Sequence, residues 1–179
     1  MIKKTLFSFV AFFYLFNLCT AQTFSIKNDK QSHVITFGNS KLKFVLTYDH
    51  QCRISKMFVN GQVVIDTSAG IYSEIKTLNK NFTTLKLAAS PVISVSGNVI
   101  NIGDIKYGDD NKMINESWKF VINEPDIKFT LSRNISKAFE VESVSFPAIE
   151  FNNVHTWEGA FQGFGGIAWF YLFKEKLCT

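Results

Sequence analysis

The residues best suited to chemistry lie in the last part of the chain, where aromatic rings and glycines surround one carboxylate. Residues 156–173 read Thr-Trp-Glu-Gly-Ala-Phe-Gln-Gly-Phe-Gly-Gly-Ile-Ala-Trp-Phe-Tyr-Leu-Phe, and Glu158 is the single charge among them. Aromatic rings stack against the apolar faces of sugars, and a carboxylate binds sugar hydroxyls. His155, Trp157, Glu158 and Trp169 are therefore the candidate carbohydrate-binding residues. In a pocket the pKa of Glu158 would also rise. The alternative is a loop glutamate beside a core tryptophan.

The other candidate acids and nucleophiles predict no catalytic residue. Sugar hydrolysis needs two carboxylates, one on either side of the scissile bond. Glu140 and Glu142 lie two apart on a predicted strand, so they share a face, and we expect that face to be solvated. Asp49-His50 follows a predicted strand and is interpreted as a polar turn. The sequence contains no Gly-x-Ser-x-Gly elbow, and no cysteine of the mature chain has a histidine beside it.

Metal and cofactor motifs are also missing from the sequence. The three histidines are too far apart to form the closely spaced pair of a zinc motif. Asp109-Asp110 resembles a fragment of a calcium loop, but the alternating oxygens and closing glutamate are absent, so we expect a solvated turn. The glycines of residues 163–166 are not followed by a helix with a lysine, as a phosphate-binding loop requires. We predict neither a metal nor a cofactor.

Residues 1–21 have the pattern of a cleavable export signal. Lys3 and Lys4 precede the apolar run Leu6–Leu18, and small residues end at Ala21, which places the expected cleavage before Gln22. The run is shorter than the roughly 20 residues of a membrane-spanning helix. Cleavage of a lipoprotein at Cys19 is the alternative. We expect a secreted or periplasmic, bacterial protein with no membrane span after cleavage.

The mature chain, residues 22–179, is expected to form a single domain. Its 158 residues, 179 less 21, suffice for a sizeable core. Without Lys3 and Lys4 the formal charge falls from +4 to +2, which is too small to indicate a nucleic-acid partner. Cys52 and Cys178 could form a disulfide or remain two free thiols, and the sequence leaves both possibilities open.

Hydrophobic alternation dominates the mature chain and predicts β-strands. Leu42, Phe44, Leu46 and Tyr48 share one face; so do Trp118, Phe120 and Ile122, and likewise Ile127, Phe129 and Leu131. Asn60-Gly61 predicts a two-residue hairpin turn, because both residues tolerate positive φ. Asn123-Glu124-Pro125-Asp126 predicts a second hairpin.

The expected strands follow one another without helices between them, which favours an all-β, antiparallel β-sandwich. Their ranges are 23–28, 32–38, 41–48, 53–59, 62–66, 71–77, 82–88, 91–95, 98–105, 113–122, 126–133, 138–146 and 148–151.

Three features give the chain a family resemblance. They are the hairpin Arg53–Gln62, the ladder of residues 118–122 and 127–131 leading to residues 144–149, and the aromatic, glycine-rich segment Trp157–Phe173. Together they resemble the N-terminal galactose-mutarotase-like β-supersandwich of secreted bacterial glycoside hydrolases and polysaccharide lyases. The resemblance implies a non-catalytic domain that supports a following catalytic domain and contributes one wall of a sugar site.

The chain departs from this family in two respects. Such sandwiches run to roughly 250 residues, above the usual domain size, and the catalytic domain is missing from the sequence. We therefore expect a truncated reading frame, with the domain incomplete at its C-terminus and the catalytic partner domain beyond it. The alternatives are a stand-alone carbohydrate-binding module, with Trp157 and Trp169 as stacking platforms, and a structural or adhesion domain with an apolar partner surface.

Overall fold

The computed structural model describes residues 24–150 and the strand residues 160–164 and 168–172. Within these residues the secondary structure is entirely β. The strands are β1 (Ser25–Asp29), β2 (Val34–Gly38), β3 (Leu42–Thr47), β4 (Arg53–Val59), β5 (Gln62–Ile65), β6 (Ile71–Lys76), β7 (Asn81–Thr83), β8 (Val92–Ser96), β9 (Val99–Asp109), β10 (Lys112–Ile122), β11 (Ile127–Ile135), β12 (Ser143–Ile149), β13 (Ala160–Phe164) and β14 (Ala168–Leu172).

Two antiparallel sheets make up the body of the protein. The first has the order β1-β2-β3-β4-β6-β12, with β5 paired to β4 and β7 paired to β6. The second has the order β11-β10-β9-β8, and β13 and β14 form a separate hairpin. Rings meet across the two sheets, because the centroids of Phe37 on β2 and Phe120 on β10 lie 4.8 Å apart. The predicted antiparallel β-sandwich is confirmed.

The core lies between the two sheets and follows the predicted alternation. Phe44, Leu46 and Tyr48 are buried, and so are Trp118 and Phe120 with Ile122. The intervening residues Lys43, Ser117 and Lys119 are exposed. Because successive side chains of a strand point to opposite faces, each strand contributes one face to the core.

Both predicted hairpin turns are present. Asn60 and Gly61 have φ values of 50° and 79°, as expected for the turn between β4 and β5. In the turn between β10 and β11, the Asn123 N–H donates to the Asp126 carbonyl at 2.9 Å. The Ser40 N–H in turn donates to a carboxylate oxygen of Glu124 at 2.8 Å, which fastens this hairpin to the first sheet.

A β-bulge changes which residues of β9 face the core. Ile102 pairs with Trp118 and Ile105 pairs with Glu116, so Gly103 and Asp104 both lie opposite the single residue between those partners. Asp104 has a φ of 55°. Ile102 and Ile105 are both fully buried although three positions apart. The extra residue brings the odd-numbered side chains after it onto the inner face.

Four predicted strands were wrong in their extent or number. The strand expected at 82–88 ends at Thr83, whose hydroxyl oxygen and carbonyl oxygen accept hydrogen bonds from the N–H groups of Leu85 and Lys86. The strand expected at 98–105 continues to Asp109 beyond its bulge. Residues 138–146 and 148–151 were expected as two strands, but one strand, β12, spans Ser143–Ile149.

Pro147 explains why β12 was divided in the sequence prediction. The register between β12 and β6 shifts between Ser145 and Ala148, so two residues of β12 lie opposite Ser73. A proline is accommodated at a bulge on an edge strand because its missing N–H interrupts no regular ladder there.

The predicted signal peptide, residues 1–21, lies outside the described residues, as do most residues at the end of the predicted domain. In the described part, no helix is long and apolar enough to cross a bilayer. Cys52 is a free, fully buried thiol.

Candidate functional site

An open groove of about 470 Å³ lies at one end of the sandwich. Three segments that are distant in sequence form it: the β6–β7 turn, the β9–β10 turn and the connection from β11 to β12. Its lining residues are Thr77, Leu78, Asn79, Lys80, Asp109, Asn111, Lys112 and Glu140, and it continues along Val141 and Glu142.

The β6–β7 turn is held by a threonine. The Thr77 N–H and hydroxyl both donate to the Lys80 carbonyl, at 2.8 and 3.0 Å, and the Lys80 N–H donates to the Thr77 hydroxyl oxygen at 3.1 Å. These bonds leave the two central residues projecting from the fold. Leu78 is 81% exposed, an unusual position for a leucine, and Asn79 is also exposed.

The β9–β10 turn is held by Asp109. One carboxylate oxygen accepts the N–H groups of Asn111 and Lys112 at 3.1 and 3.0 Å, and the other accepts the Lys80 ammonium at 2.8 Å. The hydrogen bond from Lys80 is the main reason that the pKa of Asp109 lies below its usual value. The expected solvated turn at Asp109-Asp110 is confirmed, and its first carboxylate ties two turns together.

The third wall is the connection between β11 and β12. Phe139 anchors it by packing edge-on against Phe82 at a centroid distance of 6.2 Å, and the Lys112 ammonium lies 5.3 Å from the Phe139 ring centroid. Lys76 forms an ion pair with Glu142 at 3.6 Å. These contacts place Glu140, which is exposed, at the border of the groove.

The charges in the groove balance. Two ammonium groups, of Lys80 and Lys112, accompany two carboxylates, of Asp109 and Glu140, and the neighbouring Glu142 carboxylate is paired with Lys76. A balanced lining favours no strongly charged ligand, whereas the amides and charges together offer hydrogen bonds to hydroxyl groups. Leu78 adds an apolar contact surface. The arrangement therefore suits a neutral, polar ligand with an apolar face.

Outside the strands lie the carboxylates of Asp49, Glu140, Glu142 and Glu150. Glu140 and Glu142 were expected on a strand, but β12 begins only at Ser143; both side chains are exposed, as predicted. Asp49-His50 is a polar turn, in which the Asp49 carboxylate accepts the Ser90 hydroxyl at 2.9 Å. Glu150 accepts the Ala69 N–H at 3.2 Å and secures the chain after β12.

Four residues were predicted to bind carbohydrate. His155, Trp157 and Glu158 lie outside the described residues, and Trp169 belongs to β14, for which only the backbone is described. Their role stays a prediction.

Sequence reasoning missed a buried polar cluster around Glu116, which is 1% exposed. Its Oε1 accepts hydrogen bonds from the Ser73 hydroxyl at 2.8 Å, the Tyr107 hydroxyl at 2.5 Å and Arg133 Nε at 2.5 Å. Its Oε2 accepts the Trp118 indole N–H at 3.0 Å. The cluster joins β6 of one sheet to three strands of the other.

The cluster also controls the acidity of its neighbours. Burial, reinforced by the negative charge of Glu116, raises the pKa of Tyr107 well above its usual value. The same two causes raise the pKa of the Cys52 thiol. Both groups are therefore held neutral, and Cys52 is not an activated nucleophile. The cluster is a structural element of the sandwich.

Neither a family model nor a curated protein nor a solved structure matches the chain. In the described part, no group of three or more histidine, cysteine, aspartate or glutamate side chains could hold a metal ion.

Proposed function

We propose that this chain is a non-catalytic β-sandwich of an exported carbohydrate-active enzyme, and that it binds a neutral saccharide in the groove at the end of the sandwich. The observation that supports the proposal most directly is the groove, with its balanced charges and the exposed Leu78. Its amide and carboxylate groups can form hydrogen bonds with sugar hydroxyls, and Leu78 can pack against the apolar face of a sugar ring.

Binding is favoured over hydrolysis by the state of the carboxylates. A general acid in a glycosidase needs a raised pKa, whereas the pKa of Asp109 is lowered and its oxygens already accept three hydrogen bonds. Glu140 is exposed at the border of an open groove. Asp109 is therefore unsuited to act as the general acid of a glycosidase.

The resemblance to galactose-mutarotase-like sandwiches fits this proposal. In such enzymes the sandwich supports a separate catalytic domain, which would be the partner of this chain. The resemblance rests on hairpins and aromatic residues and supplies no catalytic residue.

Glycan-array binding followed by calorimetry tests the saccharide site. We expect neutral oligosaccharides to bind, and the double variant L78A/N79A to weaken binding about tenfold or more, since losing one hydrogen bond and one apolar contact costs on the order of 1.4 kcal/mol. The matched control is V63A/N101A, which removes an exposed valine and an exposed asparagine outside the groove.

The outcomes distinguish a saccharide site in the groove from one in the aromatic segment and from no saccharide site. If L78A/N79A and the control bound the saccharide with equal affinity, the groove would be excluded as the saccharide site. Binding lost in W157A but retained in L78A/N79A would move the site to the aromatic segment and favour a stand-alone carbohydrate-binding module. Failure to bind any neutral glycan would refute saccharide binding altogether.

A further inference from the structure

One side of the sandwich leaves inward-facing apolar side chains partly uncovered. On the edge strand β12, Val144 pairs with Ile75 and Ile149 pairs with Ile71. Cross-strand partners lie on the same face of a sheet, and both isoleucines are buried in the core. Val144 and Ile149 are nevertheless 51% and 45% exposed. The core face of the first sheet therefore extends beyond what the second sheet covers.

The edge strand of the second sheet shows the same incomplete burial. Ile127 and Leu131 on β11 pair with the buried residues Ile122 and Trp118, yet they are only half-buried. Arg133 Nη2 of β11 donates to the Ser73 hydroxyl of β6 at 2.5 Å, and Ser73 lies opposite the bulge of β12, so the two edge strands lie on the same side of the sandwich. Two apolar strips therefore border one open side.

The hairpin of β13 and β14 is almost entirely apolar, aromatic or glycine, and such a segment is stabilised by burial. Of its ten strand residues, Gln162 alone is neither apolar, aromatic nor glycine. Its two strands pair with each other, from Ala160–Leu172 to Phe164–Ala168, and in the described residues they pair with no strand of either sheet. An isolated two-stranded hairpin is at best marginally stable in water, so it requires a surface against which to pack.

The hairpin is also connected directly to the open side. It begins 11 residues after Ile149, a stretch that spans up to roughly 36 Å when extended. The bulge of β12, with Pro147, breaks the regular ladder along the edge of that strand and disfavours addition of a further strand there. The hairpin can therefore be buried by packing against the exposed inner face of the sandwich.

We propose that the β13–β14 hairpin docks on the open side of its own sandwich and covers Val144 and Ile149, together with the half-buried residues of β11. This docking does not depend on the proposed saccharide site. It completes the core with the most apolar segment of the mature chain.

Hydrogen exchange measured by mass spectrometry on the full mature chain tests the docking. The test variant is V144D/I149D, which places two charges on the proposed contact surface. The matched control is V92D/V95D, because both valines are similarly exposed and lie on β8, the opposite edge of the second sheet. Amides of β10 report whether each variant remains folded.

We expect residues 160–172 to be protected in the parent protein, and to exchange at least about tenfold faster in V144D/I149D while β10 stays protected. The control should leave residues 160–172 unchanged. Equal exchange of residues 160–172 in both variants would overturn the proposal. Protection that appears only as the protein dimerises, followed by light scattering over a dilution series, would assign the surface to a second copy and would also overturn it.

Discussion

Glu116 and Arg133 are cross-strand partners on β10 and β11, and Arg133 Nε donates to Glu116 Oε1 at 2.5 Å inside the sandwich. The glutamate side chain is fully buried and that of the arginine is 13% exposed. Removing two charges from water is costly, and the cost is offset here by the ion pair and by the further donors Ser73, Tyr107 and Trp118.

Replacing Glu116 by glutamine should lower the free energy of unfolding by about 3 kcal/mol, because the arginine loses its counter-charge in a largely buried site. Urea denaturation measures this. The double variant E116Q/R133M should be more stable than E116Q alone, since it removes the unpaired charge. A loss below about 1 kcal/mol in E116Q would show that the pair contributes little.

Stability should fall at alkaline pH because of Tyr107. Its pKa in the folded protein is raised above the ordinary value of about 10, so the unfolded chain releases the proton first. The stabilisation is complete below that value and is lost as the pH rises beyond it, at up to about 1.4 kcal/mol per pH unit for one proton.

Unfolding free energies measured between pH 8 and 11 should therefore decline less steeply in Y107F, with the curves referenced to each protein at pH 8. Cys52 titrates in both proteins and cancels in the comparison. Parallel curves for the two proteins would contradict the assignment to Tyr107.

Two glycines form a matched pair for testing backbone strain. Gly61 and Gly70 both have positive φ, of 79° and 69°. A Cβ at Gly61 meets nothing within 4 Å, whereas at Gly70 it would lie 2.1 Å from the Ile54 carbonyl oxygen. G61A should cost about 1 kcal/mol for the backbone conformation, and G70A about 3 kcal/mol or more because β4 and β6 must separate. Thermal unfolding of both variants compares them, and equal losses would argue against the close approach at Gly70.

Truncating Phe120 should weaken the junction between the two sheets. It contacts Phe37 of the other sheet and stacks on Phe129 at a centroid distance of 4.6 Å. F120A should cost about 4 kcal/mol, as expected for a fully buried ring. F129A should cost about half as much because that side chain is only half-buried. Chemical denaturation measures the free energy of unfolding of both variants. A larger loss in F129A than in F120A would contradict this expectation.

Much of the Glu116 cluster was readable from the sequence. Glu116 follows the alternation of Trp118 and Phe120, and Arg133 follows that of Phe129 and Leu131, so each charge lies on a core face. The hairpin turn at residues 123–126 also determines their pairing. Ile122 is opposite Ile127, and six residues further from the turn Glu116 is opposite Arg133.

Other parts of the structure could not be predicted locally. Ser73 reaches the cluster from the opposite sheet, and that contact depends on how the sheets pack. The groove combines two turns and the β11–β12 connection, which only the complete topology brings together. The prediction of a strand over residues 138–142 was wrong because the alternating residues there belong to a connection that Phe139 anchors.

The bulge at Gly103–Asp104 acts as a change of parity within β9. Before the bulge, the side chains of even-numbered residues such as Ile102 face the core. After it, those of odd-numbered residues such as Tyr107 do. Loss of one residue at the bulge would leave a single residue opposite Ser117, so Ile105 and Tyr107 would keep their partners and their inward orientation. A one-residue deletion at Gly103 or Asp104 should therefore be tolerated better than deletion of Lys106, which would turn Tyr107 away from the core and break its hydrogen bond to Glu116.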